Sequence, residues 1–256
     1  MAITLDSMVL NTTLSQQPRV TSSVKADQAT GAFDLASQRI GQQISSTNVQ
    51  LSAFGQIKSS FADIQSAGKS LSALGKTSTA EDTTKAVQSF ADAFNNATSA
   101  VNTAIKGDGK SAGVLAGNGL ANLAGFDLKR VVTSGSNTAD LKKIGVSIKQ
   151  DGTLSVDAKV LQSAVQANPS SVQDTLARVG AQAVQVSQKE LASSGNVGSS
   201  VNTLSSRVKN LGSKAAEQQK LATDSQNAVQ QQLATLNNNN NAAGGIAAYM
   251  QMLSSR

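Results

Sequence analysis

The sequence predicts a mainly α-helical protein with a small β part, in which long N- and C-terminal helices pair as a coiled-coil leg and carry a small α+β head. Three observations predict this fold class. Two long stretches, one toward each end of the chain, carry apolar residues at alternating steps of three and four. Between them, apolar and polar residues alternate on both sides of Asp151-Gly152, which is typical of a β-hairpin. Aromatic residues make up only 3% of the chain, which favours thin helical layers over a thick core.

The longest apolar stripe lies between residues 199 and 236. Its positions are Val201, Leu204, Val208, Leu211, Ala215, Ala222, Val229 and Leu236, with Gln218, Ser225 and Gln232 as polar interruptions. A helix of this length would extend about 55 Å. A single stripe on a long helix requires a partner. An ordinary bundle helix is one interpretation, and we favour the other, an assembly rod that packs on a second segment and on neighbouring subunits.

A second stripe occupies residues 48–75. Its positions are Phe54, Ile57, Phe61, Ile64 and Leu71. Gly68 also lies on this stripe, where it weakens the helix but permits a close approach by a neighbour. We therefore predict that this helix is the partner of the C-terminal rod, parallel or antiparallel, within one chain or between chains. The two stripes are the predicted coiled-coil and assembly interface.

The two ends of the chain carry weaker patterns. Residues 1–47, with Pro18 and Gly31 as punctuation, are predicted to be irregular around short helices and to become ordered on assembly. The asparagine run at 237–241 predicts a flexible joint before a short helix at 246–253. The predicted organisation is thus termini at 1–47 and 237–256, a leg of residues 48–75 and 197–236, and a head of residues 76–196.

The first half of the head is predicted to be a helix followed by irregular structure. The helix covers 79–105, with Ser78 and Glu81 as its capping box and with Phe90 and Phe94 on one face. Residues 107–139 are rich in glycine, which predicts small strands or turns. These glycines lack the Gly-Lys-Ser/Thr ending of a phosphate-binding loop.

The second half of the head is predicted to be a hairpin followed by helices. The hairpin covers 144–156 and turns at Asp151-Gly152. Asp157 is expected to cap a helix that ends at Asn168-Pro169. Another helix is predicted to begin near residue 170 and to run toward residue 186. Together, the helices of this half are assigned to residues 157–190.

The composition excludes most catalytic chemistry. The chain has no Cys and no His, the commonest transition-metal ligands, and His is also the commonest general base. We therefore expect no enzyme activity, no cofactor and no metal. A hydrolase with a Ser-Lys or paired-carboxylate site is a remaining hypothesis, but Asp151 and Asp157 are better interpreted as turn and cap residues.

The charge pattern and hydropathy give weak support to nucleic-acid or membrane partners. The net charge is +6, but the basic residues are scattered and have no interleaved aromatic residues. No stretch approaches eighteen apolar residues, and the first residues lack the basic and apolar regions of a signal peptide. We expect no nucleic acid, no membrane insertion, and export by another route if the protein leaves the cell.

Several of these stretches resemble the flagellar hook-associated protein 2 family, the filament cap proteins. The segment from residue 140 to 169 is similar to a family pattern in which an Ile-Gly strand leads to Asp-Gly-Thr-Leu, an Asp and a helix ending in Asn-Pro. Residues 51–59, 90–95 and 115–118 resemble further family motifs, with Asn118 in place of an acid. The residues that match these motifs are Phe90, Phe94, Ile144, Gly145, Asp151, Gly152, Leu154, Asp157 and Pro169.

The resemblance implies a structural assembly protein of the bacterial flagellum. Such a protein caps the growing filament tip as a ring-like oligomer and promotes the insertion of flagellin. The implied partners are copies of itself, flagellin, the hook-filament junction proteins, and an export chaperone bound near the C-terminal helix. The implied location is extracellular, on the flagellum, after export without a cleaved signal peptide.

One departure from the family pattern supports a second hypothesis. Family members usually carry large β-rich outer domains between the N-terminal helix and the helix that contains Phe90. Here only residues 75–84 join those two helices. The alternative is therefore a minor axial or hook-filament junction subunit, or an adhesive surface subunit, derived from the cap fold.

Overall fold

The computed structural model describes residues 17–75 and 78–254 of the chain. In this part of the chain, seven helices and one two-stranded sheet follow one another. They are α1 (Gln17–Ser72), α2 (Ala80–Lys106), α3 (Gly119–Thr133), α4 (Asn137–Lys143), β1 (Val146–Ile148), β2 (Leu154–Val156), α5 (Ala158–Ala167), α6 (Pro169–Leu191) and α7 (Asn196–Ser254). The predicted fold class, mainly α with a small β part and long helices, is confirmed.

Contacts divide the chain into two units. The first, here called the core unit, is residues 46–208, and the second combines 1–45 with 209–256. Helices α1 and α7 each contribute residues to both units. Residues 48–75, which the sequence analysis assigned to the leg, thus belong to the same unit as the head, because their apolar stripe is buried among its helices.

Helix α1 begins well before the segment that the sequence analysis predicted. Residues 17–47 are helical, whereas an irregular terminus was predicted there. Pro18 lies in the first turn, where its missing N–H removes no helical hydrogen bond, and a lone Gly31 costs only about 1 kcal/mol relative to alanine. The remainder of that prediction, residues 1–16, lies outside the described residues.

Helix α7 continues where a joint was predicted. The asparagine run 237–241 and Gly244-Gly245 are helical, and one helix reaches Ser254 in place of a separate helix at 246–253. Asparagine is a weaker helix former than alanine by less than about 1 kcal/mol per residue. Such weak preferences do not end a helix, so composition alone was a poor guide here.

The capping box of α2 lies one residue later than predicted. Thr79 Oγ1 accepts from the backbone N–H of Asp82 at 3.0 Å, and the backbone N–H of Thr79 donates to Asp82 Oδ2 at 3.3 Å. The predicted pair of Ser78 and Glu81 is therefore wrong. Ser78 Oγ instead accepts from the backbone N–H of Gly75 at 3.1 Å.

The glycine-rich segment forms a turn and two helices, α3 and α4, and the predicted strands are wrong. Asn118 caps α3, because its Oδ1 accepts from the backbone N–H of Ala121 at 3.0 Å. A Cβ at Gly125 would lie 2.9 Å from Cγ1 of Val101 in α2. The glycine at that position therefore allows two helices to approach each other, which glycine content alone does not reveal.

The predicted hairpin forms around Asp151-Gly152. Strands β1 and β2 are antiparallel, with Ile148 opposite Leu154. Gly152 has a φ of +86°, in the left-handed region that the third residue of a short loop requires. Ile144 is not a strand residue, however, and ends α4 instead.

The hydrophobic core of the core unit draws on every helix and on both strands. Helix α1 supplies large buried side chains, and α7 contributes at its first turns through Val197. The largest fully buried apolar side chains are Phe54, Phe61, Phe94, Ile57, Ile64, Leu71, Leu115, Leu128, Leu161, Leu176 and Val87.

Candidate assembly surfaces

The predicted stripe on α1 is buried inside the core unit. Its five apolar positions are each at most 1% exposed: Phe54, Ile57, Phe61, Ile64 and Leu71. Burial of one such side chain stabilises the fold by about 1.5–3 kcal/mol. This burial is intramolecular, so these residues hold a single chain together.

The C-terminal end of α1 packs against α6. Gly68 faces Gly180 and Ala183 at distances that leave no space for a side chain on either glycine. Ser72 Oγ donates to the carbonyl of Ala177 at 3.5 Å. The close approach predicted at Gly68 is present, but the helix that uses it is α6 and not the C-terminal rod.

The burial of side chains along α7 follows the predicted heptad spacing. One set of positions is buried or half-buried while the positions between are exposed: Val201, Leu204, Val208, Leu211, Ala215, Gln218, Ala222, Ser225 and Val229. Two polar side chains, Gln218 and Ser225, share the buried face. The last predicted position, Leu236, is 56% exposed, and its neighbour Leu233 is 60% exposed.

The first part of α1 carries a stripe that the sequence analysis missed. Phe33, Ala36, Ile40 and Ile44 are half-buried at steps of three and four. The signal is present in the sequence, but Gly31 and the surrounding polar residues obscured it. The unit formed by 17–45 and 209–254 therefore contains two helical segments, each with one half-buried face.

The residues that matched family motifs in α2 and the hairpin lie together. The rings of Phe90 and Phe94 are buried with centroids 6.2 Å apart. Asn95 follows and clamps the hairpin, since its Nδ2 donates to the carbonyl of Leu154 at 2.9 Å and its Oδ1 accepts from the Leu154 N–H at 2.6 Å. The sequence analysis quoted Asn95 only as part of a motif and assigned it no role.

The turn at Asp151 is held by its own side chain. Asp151 Oδ1 accepts from the backbone N–H of Thr153 at 2.9 Å and from its hydroxyl at 2.6 Å. These hydrogen bonds, the hydroxyl first, hold the pKa of Asp151 below its usual range. This carboxylate therefore stabilises a turn, as predicted.

The motif residues that flank α5 shape the backbone. Gly145 has a φ of +84°, and its carbonyl accepts from the N–H of Asp157 at 2.8 Å. Asp157 then caps α5 by accepting from Lys159 and Val160. Pro169 occupies the first turn of α6. The predicted cap and the predicted break at Asn168-Pro169 are both present.

Ion pairs connect α6 to the two helices of the glycine-rich segment. Arg178 donates to Asp140 Oδ2 at 2.7 Å and to Asn137 Oδ1 at 3.0 Å. Hydrogen bonds from Ser136 and Lys143 hold the pKa of Asp140 below its usual value. These contacts fix α4 on α6, and the ion pair between Lys189 and Asp127, at 2.6 Å, holds one face of α3 on the same helix, while its outer face is exposed.

That outer face of α3 is apolar. Leu120, Leu123 and Phe126, here called the α3 patch, are 40%, 52% and 60% exposed at steps of three along one helix. A single exposed leucine is ordinary, but adjacent exposed apolar side chains on one helix face are typical of a protein-protein contact. The sequence analysis missed this patch because it predicted strands or turns here.

Among residues 17–75 and 78–254, no group of three or more Asp or Glu side chains is placed to hold a metal ion. None of the helices in these ranges is both long and apolar enough to cross a membrane. Two apolar surfaces of the described residues are candidates for contact with other proteins, the α7 stripe and the α3 patch.

A comparison with protein families gives a match over most of the chain. Residues 65–243 match the family model described as flagellar hook-associated protein 2 C-terminus. The match begins inside α1 and ends inside α7, and it covers well over half of the chain. A search of curated protein sequences found no match. The chain therefore belongs to the flagellar hook-associated protein 2 family, a family of structural flagellar proteins.

Proposed function

We propose that this protein caps the growing tip of the flagellar filament as a ring-like oligomer and promotes the insertion of flagellin. The observation that carries the proposal is the α7 stripe. It keeps heptad spacing from Val201 to Val229 and ends in the exposed leucines Leu233 and Leu236. A long helix with this face packs against other helices along its length, which is what a subunit of a helical tube requires.

The same proposal assigns a role to the two ends of the chain. The proposed leg consists of residues 17–45 and 209–236, of which 17–45 and 209–229 each carry a half-buried face, whereas residues 48–75 and 197–208 belong to the core unit. Leu233 and Leu236 are then the positions at which a neighbouring subunit covers the leg. Subunit contacts of this kind gain their free energy from apolar burial, so the proposed function requires no catalytic residue.

The α3 patch supports self-assembly on the head. Its three apolar side chains lie on a helix that the ion pair between Asp127 and Lys189 holds on α6. A rigid apolar face of this size is suited to a contact with another subunit of the ring. The further proposed partners are flagellin, the junction proteins and an export chaperone, and the proposed location is the outside of the cell.

The decisive experiment is a deletion strain, assayed for swimming and for flagellin in the medium, and then complemented with variants. If the protein caps the filament, the deletion releases monomeric flagellin and leaves bare hooks. Leu211→Asp is expected to fail to restore filaments, because Leu211 is only 8% exposed on the stripe. Leu221→Asp is the matched control on the same helix, since Leu221 is 46% exposed. Full rescue by Leu211→Asp would contradict the role of the stripe.

A second candidate function is a minor axial or junction subunit. The observation that favours it is the short connection between α1 and α2, residues 73–79, where the resemblance leads us to expect large outer domains. Localisation of a tagged, functional chain separates the two candidates. Label at the tip supports the cap, whereas label at the hook-filament junction together with normal filaments in the deletion strain supports the alternative.

A further inference from the structure

A buried carboxyl group lies where α6 passes into α7. Glu190, in the last turn of α6, is fully buried. Its Oε1 accepts from Nδ2 of Asn196, the first residue of α7, at 2.8 Å. Its Oε2 has no hydrogen-bond donor among the described residues. A buried carboxylate oxygen without a donor is costly, and the simplest remedy is a proton on that oxygen.

Asp127 of α3 provides the acceptor for that proton. The two carboxyl groups are close enough to share a hydrogen bond when one of them holds a proton. The charged groups that face the pair are Lys189 of α6, with Nζ 2.6 Å from Asp127 Oδ2, and Arg130 of α3, 3.9 Å from Asp127 Oδ1. Both cations therefore lie on the Asp127 side of the pair.

This asymmetry decides which group carries the proton. Burial, and then the hydrogen bond with Asp127, raise the pKa of Glu190 to about 7. Burial also opposes the ionisation of Asp127. The hydrogen bonds with Lys189 and Glu190 and the charges of Lys189 and Arg130 outweigh that effect and hold the pKa of Asp127 below its usual value. Asp127 is thus the carboxylate, and Glu190 is the acid that donates to it.

The backbone around the junction is closely packed. A Cβ at Gly195 would collide with the backbone carbonyl of Lys189, and a Cβ at Gly198 would collide with that of Ala192. The turn between the helices therefore depends on glycine at both positions. Ionisation of Glu190 places a charge in a buried site that offers its Oε2 no donor, so the junction must open for water to reach that charge.

We propose that Glu190 and Asp127 hold a single proton that locks the α6–α7 junction, and that loss of this proton as the pH rises past neutrality loosens the first turns of α7. The junction is then a pH-sensitive contact at the N-terminal end of α7. Because it rests on buried groups of the core unit alone, it is independent of the proposed capping function.

The direct test is the titration of Glu190 in the intact chain. The sequence contains only three glutamates, Glu81, Glu190 and Glu217, so selective ¹³C labelling of glutamate side chains gives three carboxyl signals. We expect one of them, absent in Glu190→Gln, to titrate near neutrality. Titration of all three signals below pH 5 would overturn the proposal.

The consequence for stability is tested by urea unfolding of the full chain at pH 5, 6, 7 and 8. Because folded Glu190 binds its proton more tightly than unfolded Glu190, the unfolding constant of the wild type should rise relative to that of Glu190→Gln by up to about tenfold per pH unit between pH 5 and 7, then level off. The amide of glutamine can donate to Asp127 at every pH.

Glu81→Gln is the control, because Glu81 is an exposed residue that pairs with Lys85 on the surface. Its unfolding constant should follow the wild type at every pH. Hydrogen exchange of the first amides of α7 provides a local measurement, and exchange in the wild type should accelerate above pH 7 beyond the intrinsic rate change. Parallel pH dependence in the wild type and Glu190→Gln, or unchanged protection of these amides, would contradict the proposal.

Discussion

Gly68 of α1 and Gly180 of α6 face each other across a helix contact that excludes side chains. A Cβ at Gly68 would lie 2.9 Å from the carbonyl oxygen of Gly180, and a Cβ at Gly180 would lie 2.5 Å from the carbonyl oxygen of Gly68. Each glycine thus accommodates the backbone of the other helix. This contact positions α6, and with it α3, which packs on α6, against the stripe of α1.

The first prediction concerns this contact. Gly180→Ala is expected to destabilise the chain by about 1–3 kcal/mol, because the added methyl group meets backbone that cannot move aside. The measurement is the free energy of unfolding in urea. Gly55→Ala in α1 is the matched control, because open space surrounds Gly55. This substitution should leave stability unchanged or raise it by up to about 1 kcal/mol. Equal effects of the two substitutions would contradict the contact.

The second prediction separates folding from assembly with one type of substitution. Phe61→Ala should cost about 3–5 kcal/mol in unfolding free energy, because Phe61 is fully buried and its removal leaves a cavity. Phe126→Ala, in the α3 patch, should change unfolding by less than about 0.5 kcal/mol. If the patch is a subunit contact, Phe126→Ala should still reduce oligomer formation in sedimentation experiments. An unchanged oligomer would argue against that use of the patch.

The third prediction concerns the clamp between α2 and the hairpin. Asn95→Ala removes both hydrogen bonds to the backbone of Leu154 and should destabilise the chain by about 1–3 kcal/mol. Amide exchange of β2 should accelerate more than that of α6. Asn202→Ala, at an exposed position of α7, should stay within about 0.5 kcal/mol of the wild type. A neutral Asn95→Ala variant would show that the hairpin holds its place without the clamp.

The fourth prediction is a dependence on acid. The folded pKa of Asp140 lies below its usual value, so its ion pairs stabilise the fold above about pH 4 and are lost as the pH falls through the folded pKa. The thermal midpoint of the wild type should therefore fall more steeply on acidification than that of Asp140→Asn. Asp63→Asn, which removes an exposed carboxylate of α1, is the control. If the three acid curves run parallel, Arg178 and Asp140 contribute no net stability.

Local signals were the most reliable guide to this fold. The α1 and α7 stripes, the Asp157 cap and the hairpin turn at Asp151-Gly152 each depend on residues within a few positions of one another, and each is present. The predictions failed where glycine, asparagine or proline was assumed to end or exclude a helix. Glycine, asparagine and proline at residues 18, 119, 125 and 237–241 lie within helices.

The candidate assembly surfaces were predicted only in part. The stripe on α7 was predicted because heptad spacing can be recognised from the sequence alone. The α3 patch was missed because an exposed face can be recognised only once the opposite face is known to be buried. Asn95 was also missed as a clamp, since its partner Leu154 lies 59 residues away in the sequence.

The sequence by itself determined the helical class of this protein, the position of its hairpin, its lack of Cys and His and its likeness to the cap family. All of these follow from residue types and short spacings. The tertiary structure alone decided that the stripe of α1 packs on α6 through Gly68 and Gly180, and that Glu190 is buried beside Asp127. Packing partners and buried charges depend on which distant segments meet, and the free energy of those contacts is not encoded in any local pattern.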